Sequence, residues 1–169
     1  FWLGVNRRHA GSFFDYFSLI LEFETVRAAR FGIDHYCAIA MNPKEADDRA
    51  LADEVIDGLD PYITHPRCVA MGEIGLNLNT PNEERAMIRQ LRMAEERKMP
   101  VILHTPHADK LRGTLRILEI IKAEGLTVER IDVDHNTEET IKHTLDSGCY
   151  AGMTVYPFSK LTPRRVSAM

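Results

Sequence analysis

Short apolar runs alternate with segments of helical periodicity along most of the chain. The apolar runs are predicted strands, and they cover residues 35–41, 69–76, 101–104, 131–135 and 150–156. In other segments apolar residues recur three or four positions apart, which predicts helices at 13–31, 42–59, 80–98, 109–124 and 138–147. Strands that alternate with helices indicate βαβ units and a parallel sheet.

Capping residues mark the starts of several predicted helices. Thr80 is followed by Pro81 and then by Glu83, which is the pattern of a capping box with proline in the first helical turn. Thr162 and Pro163 predict a further helix start. These signals indicate where the helices start and therefore where the loops after the predicted strands end.

Two α/β architectures fit this alternation, an open doubly wound sheet and a (β/α)8 TIM-type barrel. The runs at 69–76 and 101–104 are almost continuous in apolar residues and glycine, as expected for strands covered on both faces. No G-x-G-x-x-G or G-x-x-x-x-G-K-[ST] sequence follows any predicted strand, which disfavours dinucleotide-binding and P-loop functions.

Composition narrows the class of protein without naming a function. The chain has 169 residues, of which 44% are hydrophobic and 27% charged, and this is typical of a soluble globular domain. No apolar run approaches the ~20 residues of a membrane span. The formal net charge of −4 argues against strong binding to duplex DNA or an anionic membrane.

Three cysteines lie far apart and form no C-x-x-C pair, so neither a disulfide framework nor a cysteine zinc site is indicated. A reducing compartment, the cytoplasm, is the expected location. The sequence pattern carries no indication of oligomeric state.

Three chemically active residues recur at one phase of the repeat. Glu73, His104 and His135 each end a predicted strand, and they are separated by two intervals of 31 residues. In a barrel they would meet at the carboxyl-terminal rim, where active sites are built. Two imidazoles and a carboxylate suit a divalent cation such as zinc, which acidifies bound water. The alternative is that each is a separately satisfied polar residue at a strand end.

Further candidates follow the same predicted strands. His107 is a candidate substrate contact or support for the site, or an ordinary loop histidine. Lys110 and Arg112 are candidates for binding a phosphate oxygen, or solvated residues of a helix start. Tyr156 ends the last predicted strand and is a candidate for shaping the pocket. Alternation turns Asp134 away from His135, which favours a structural hydrogen bond over metal ligation.

Three short elements together resemble the TatD-related metal-dependent hydrolases of the amidohydrolase superfamily. They are G-E-I-G-L at 72–76, H-T-P-H at 104–107 and D-H-N at 134–136. The residues of the last two elements are most similar to those of a less characterised archaeal and cyanobacterial branch of this family. The resemblance extends from Phe1-Trp2 to Tyr156-Pro157.

The resemblance implies a (β/α)8 barrel with one or two divalent metal ions at its rim, zinc first and manganese or magnesium as alternatives. Glu73 matches the carboxylate that often bridges metals and is the candidate catalytic residue, and His104 and His135 match the later histidine ligands. Phe1-Trp2 would end strand two, and the five predicted strands would be strands three to seven.

On this register residues 1–169 form a single partial barrel domain, truncated at both ends. The family's first-strand H-x-H and last-strand aspartate fall outside the sequence. A barrel that cannot close exposes two sheet edges, so this chain made alone is expected to be poorly soluble and inactive.

The expected function is that of a metal-dependent hydrolase of TatD type. In such an enzyme metal-activated water attacks a phosphoester or phosphodiester, with a small phosphoester or a nucleic-acid end as substrate. Two alternatives stay open. One is a non-catalytic barrel that serves as a scaffold or binding module, and the other is an amidohydrolase that acts on a lactone or an amide.

Overall fold

Each strand of the sheet pairs in parallel with the next strand in the sequence. The computed structural model describes residues 7–156 and 160–169. Its strands are β1 (Cys37–Ile39), β2 (Cys68–Gly75), β3 (Val101–His104), β4 (Ile131–Val133) and β5 (Tyr150–Ala151). Their order in the sheet is β1-β2-β3-β4-β5. Because the strands are parallel, their carboxyl ends lie at the same edge of the sheet. Because the strands follow the order of the sequence, every crossover connection runs in the same direction.

This order separates the two architectures that the sequence left open. A doubly wound sheet reverses its strand order at a switch point, whereas a (β/α) barrel adds strands in sequence. The described sheet has no such reversal. The prediction of a partial barrel of TIM type is therefore confirmed. The predicted end of strand two at Phe1-Trp2 lies outside the described residues.

The helices precede, separate and follow the strands as the periodicity predicts, with two differences. They are α1 (Gly11–Ser18), α2 (Glu24–Ala29), α3 (Arg49–Asp57), α4 (Asp60–Ile63), α5 (Pro81–Glu96), α6 (Lys110–Glu124), α7 (Ile141–Asp146) and α8 (Pro163–Val166). A π-helical turn at Leu19–Phe23 joins α1 to α2. The helix predicted at 42–59 is a 3-10 turn at Pro43–Glu45 followed separately by α3. Of the described helices, none combines the length and apolar content needed to cross a membrane.

The capping box predicted at α5 also shapes the loop after β2. The Thr80 hydroxyl accepts from the Glu83 backbone N–H at 3.2 Å. The Glu83 carboxylate is buried, and it accepts from the backbone N–H groups of Asn77 and Leu78 at 2.9 and 3.0 Å. Such hydrogen bonds replace the water contacts that a carboxylate loses on burial. Glu83 thus holds the chain just beyond the end of β2.

Three strands are shorter than predicted, and the first of them, β1, covers only Cys37–Ile39 of the expected 35–41. The strand expected at 131–135 ends at Val133, because His135 has a φ of 63° and leaves the extended conformation. The strand expected at 150–156 is limited to Tyr150–Ala151, which pair with Asp132 and Val133. The prediction that His135 lies within a regular strand is therefore wrong, although the residue still lies at the carboxyl edge.

The loop after β4 is held by a buried asparagine. The Asn136 side-chain amide donates to Val133 O at 2.6 Å, and its carbonyl oxygen accepts from the hydroxyls of Thr140 and Thr144 at 3.0 and 2.8 Å. Its backbone N–H donates to Gly152 O at 2.9 Å. These bonds replace the missing ladder, so the backbone around His135 is held as firmly as a strand.

Gly75 allows the close approach of β2 to β3. It has a φ of 136°, and a Cβ built there would lie 2.2 Å from the carbonyl oxygen of His104. That oxygen is backbone, so the contact is relieved only by moving β3. Any side chain at this position would therefore displace His104.

We expect Gly75→Ala to lower the free energy of unfolding by about 3 kcal/mol, from the combined cost of a strained φ and a backbone clash. Gly125→Ala is the matched control, because Gly125 also has a positive φ, of 64°, with no atom within 4 Å of its added Cβ. It is expected to cost about 1 kcal/mol. Urea denaturation of both variants measures the difference, and equal losses would contradict the steric explanation.

Candidate metal centre

Glu73, His104 and His135 converge at the carboxyl edge of the sheet, and one ligand atom from each lies within 4.8 Å of the others. Glu73 Oε2 lies 3.6 Å from His104 Nδ1, and Glu73 Oε1 lies 3.4 Å from His135 Nε2. The two imidazole rings are nearly perpendicular, with centroids 4.8 Å apart. One carboxylate thus faces two imidazoles, one through each oxygen.

An irregularity in β2 sets the position of Glu73. Gly72 pairs with Ile102 and Ile74 pairs with Leu103, so the register skips Glu73. The direction of the Glu73 side chain therefore does not follow the regular in-and-out alternation that is expected along a strand. The carboxylate is one-third exposed, and Asn42 Nδ2 donates to its Oε2 at 3.4 Å.

Asn42 is a residue whose second contact the sequence does not reveal. As predicted for a helix start, its side-chain oxygen accepts from the Lys44 backbone N–H at 3.1 Å. Its amide also reaches Glu73. Asn42 lies 31 residues before Glu73, the same interval that separates the three candidate ligands. This spacing is the sequence signal that points to the contact with Glu73.

His104 is the last residue of β3 and is 3% exposed. Neither ring nitrogen has a hydrogen-bond partner within the described structure. Burial lowers the pKa of this imidazole, so the neutral form is favoured. Buried polar nitrogens are nearly always bonded, because leaving one unpaired costs about 1–3 kcal/mol. An unpaired imidazole that faces a carboxylate is therefore a site prepared for a further group.

The pKa of the Glu73 carboxyl lies below its ordinary value. The contact with the His135 imidazole is the main cause, and burial opposes it. Glu73 is accordingly ionised at neutral pH. The centre thus offers a carboxylate and a neutral imidazole, which are the forms that bind metal ions.

His135 is oriented from behind by its neighbours. Its Nδ1 lies 2.5 Å from Thr154 Oγ1 and 3.3 Å from Asp134 Oδ2. Its backbone N–H donates to Asp134 Oδ1 at 2.6 Å. The Asp134 carboxylate therefore makes structural hydrogen bonds. With the Nδ1 side occupied, the other ring nitrogen of His135 is directed at Glu73.

Two of the remaining candidates lie beside this cluster. The His107 ring is 6.0 Å from that of His104 and 6.2 Å from that of His135. Lys110 Nζ donates to Thr105 Oγ1 at 2.8 Å and to His135 O at 3.0 Å. Burial lowers the pKa of Lys110 to about 8. Lys110 is thus held against the site rather than solvated.

Arg112 and Tyr156 are not brought to the cluster. The Arg112 side chain is 73% exposed and lies 3.8 Å from Asp109, its neighbour in the first turn of α6. Tyr156 is 58% exposed. Two other residues at the site, Thr154 and Lys160, have no periodic or motif signal, because their contacts with His135 and His107 arise only from the folding of distant loops.

The donor set fits a divalent ion. Two imidazole nitrogens and a carboxylate oxygen form a ligand set typical of zinc and related transition metals. Ligand atoms bound ~2.1 Å from a tetrahedral ion lie ~3.4 Å apart. One oxygen of Glu73 lies 3.6 Å from His104 Nδ1, the other lies 3.4 Å from His135 Nε2, and one ligand atom from each residue lies within 4.8 Å of the others.

Comparisons with known proteins identify relatives of this chain. The family model described as TatD related DNase matches residues 20–167. An uncharacterised metal-dependent hydrolase of Methanocaldococcus jannaschii is 28% identical over 150 residues, which are 89% of this chain and 59% of that protein. The 3'-5' ssDNA/RNA exonuclease TatD of Escherichia coli K12 is 35% identical over 94 residues, which are 53% of this chain and 35% of the exonuclease.

Solved structures show the same architecture. The TatD-like protein of Archaeoglobus fulgidus superposes with a TM-score of 0.79 at 28% identity, over 90% of this chain and 63% of that one. The Escherichia coli phosphotriesterase homology protein, solved with phosphate in its active site, shares the fold with a TM-score of 0.66 at 21% identity, over 87% of this chain and 56% of that one. The chain spans about three-fifths of the length of the two archaeal relatives. Since the family model covers most of the sequence, this chain belongs to the TatD related DNase family.

Proposed function

We propose that the protein is a metal-dependent hydrolase that uses water to cleave a phosphoester bond, with a phosphodiester at a nucleic-acid end as the first candidate substrate. The observation that carries this proposal is the buried His104 imidazole, which faces Glu73 with both nitrogens unpaired. Membership of the TatD related DNase family and similarity to the Escherichia coli 3'-5' ssDNA/RNA exonuclease support the substrate class.

Glu73, His104 and His135 would hold the ion. Zinc is the first candidate, and manganese and magnesium are the alternatives. Because each oxygen of Glu73 faces a different histidine, the carboxylate would be able to supply ligands to one ion or to two. When bound, such an ion lowers the pKa of water and polarises a phosphoryl oxygen.

Thr154 and Asp134 set the tautomer of His135 in this proposal. The Thr154 hydroxyl lies 3.5 Å from Asp134 Oδ1 and can donate to it, which leaves Thr154 Oγ1 to accept from His135 Nδ1–H. The lone pair on Nε2 then faces Glu73 and the ion. Partners of this kind orient a ligating histidine and raise its basicity.

Substrate binding is assigned to the residues beside the cluster. Lys110 and His107 are placed to contact phosphate oxygens. Arg112 and Tyr156 face solvent, so we retain them only as contacts for a longer substrate. The net charge of −4 favours a strand end or a small phosphoester over tight binding to a duplex.

Two other functions would use the same barrel. Hydrolysis of a lactone or an amide shares the metal chemistry, but the lysine beside the cluster favours an anionic substrate. A non-catalytic scaffold would not need an unpaired imidazole in its interior. Hydrolysis assays of the full-length protein with a single-stranded oligonucleotide, a small phosphodiester, a lactone and an amide separate these functions. Phosphodiester cleavage that a chelator abolishes is the expected result, and lactone or amide cleavage alone would contradict the proposal.

Metal analysis of the purified protein tests the ligands. We expect Glu73→Gln and His135→Ala each to lose most of the bound metal, because each removes a donor atom from the cluster. His143→Ala is the matched control, since His143 is exposed on α7 and is expected to keep the wild-type metal content. Unchanged metal content in both cluster variants would remove the proposal.

The role of Thr154 gives a second test. Thr154→Val keeps the shape of the side chain and removes the hydroxyl that contacts His135 Nδ1. Metal affinity, measured by competition with a chromogenic chelator, is expected to fall about tenfold. Thr64→Val removes a hydroxyl from the exposed residue after α4, and its metal affinity should match that of the wild type. Equal affinities for all three proteins would show that Thr154 does not orient the ligand.

A further inference from the structure

A small cavity of about 160 Å³ lies beside the metal centre, between the loops that follow β3, β4 and β5. His135 belongs both to its wall and to the metal centre, whereas Glu73 and His104 do not line it. Sites for drug-sized ligands have volumes of ~300–1,000 Å³. This cavity therefore suits a single small group that lies next to the metal centre.

Two ammonium groups line the cavity without a carboxylate partner. Neither Lys110 nor Lys160 forms an ion pair within the described structure. The two cations thus line one small cavity together. Arg165 also lines the cavity, but Glu138 pairs with it at 2.7 Å. Like charges held together are unfavourable, and an anion between them would relieve the repulsion.

Free hydrogen-bond donors accompany these charges. Lys110 uses two of its three N–H groups, on Thr105 Oγ1 and His135 O, which leaves one. Lys160 Nζ lies 3.1 Å from His107 Nε2, and among residues 7–156 and 160–169 its other N–H groups have no partner. Burial and the charge of Lys160 lower the pKa of His107, so its neutral ring can accept from that ammonium.

The wall of the cavity also holds an unpaired hydroxyl. Thr137 Oγ1 is buried and has no hydrogen-bond partner among the residues that the structure describes. Leu161 adds an apolar wall, which reduces competition from water. Two ammonium groups and a hydroxyl around a small partly apolar cavity match the oxygens of a tetrahedral oxyanion.

We propose that this cavity binds a second phosphate of the substrate, adjacent to the one that is hydrolysed. The cavity contains only one of the three candidate metal ligands, so it does not itself indicate which bond is attacked. For the identity of that bond the inference rests on the proposed function. The preferred substrates are then phosphoesters that carry a neighbouring phosphate, such as an oligonucleotide end, and Lys160 selects for them.

Binding of inorganic phosphate to chelator-treated protein tests the cavity without any hydrolysis. We expect calorimetry to show binding to the wild type and about tenfold weaker binding to Lys160→Met, which is ~1.4 kcal/mol. Lys142→Met removes the same charge from an exposed lysine paired with Asp146, and its affinity should equal that of the wild type. Absence of binding to the wild type, or equal losses in both variants, would overturn the proposal.

Thr137→Val provides a second variant that leaves every charge in place. It is expected to weaken phosphate binding severalfold, because it removes the buried hydroxyl. Thermal melts of the variants check that each is folded. If both Lys160→Met and Thr137→Val fold and bind phosphate like the wild type, the cavity is not the binding site.

Kinetics with paired substrates link the cavity to specificity. The ratio of kcat/KM for a phosphodiester with a neighbouring phosphate to that for one without it should fall about tenfold in Lys160→Met, or ~1.4 kcal/mol. The ratio should stay at the wild-type value in Lys142→Met. If hydrolysis is absent but phosphate still binds in the cavity, the proposed function fails alone. If hydrolysis proceeds and phosphate does not bind, only this inference fails.

Discussion

Parallel pairing of β2, β3 and β4 in sequence order is the constraint on which the candidate site depends. Each strand ends at the same edge of the sheet, so residues that follow these strands are brought together although more than 30 positions separate them. The approach of β2 to β3 requires glycine at position 75, because the His104 backbone fills the space that a Cβ would occupy. The position of His104 opposite Glu73 follows from this contact.

Several polar and charged groups at this edge of the sheet lack partners within the described structure. The buried His104 ring has no hydrogen bond, and the ammonium groups of Lys110 and Lys160 have no carboxylate partner within the described structure. Folding a chain with such groups costs free energy that ligands would recover. The imidazoles and carboxylate favour a cation, whereas the lysines a few ångströms away favour an anion. A hydrolase that binds a metal ion and a phosphoester needs both kinds of site side by side.

Several features of the fold could be predicted because their causes are local. The strand at 101–104, the capping box at Thr80 and the start of α6 agree with the sequence pattern. The end of β4 could not be predicted, because the positive φ of His135 is held by hydrogen bonds that Asn136 donates to the carbonyl oxygens of Val133 and Gly152 and accepts from the Thr144 hydroxyl. For Lys110 the sequence pattern favours a solvated side chain at the start of α6, because its burial depends on Thr105 and the loop after β4.

The sequence by itself determined the alternation of strands and helices and the phase at which Glu73, His104 and His135 recur, because periodicity and spacing are properties of the chain. It could not choose between a barrel and a doubly wound sheet, since both place helices between parallel strands. Tertiary structure made that choice through strand order. It also decided which nitrogen of His135 faces Glu73 and that Lys160 reaches His107, because both depend on loops that meet only in the folded chain.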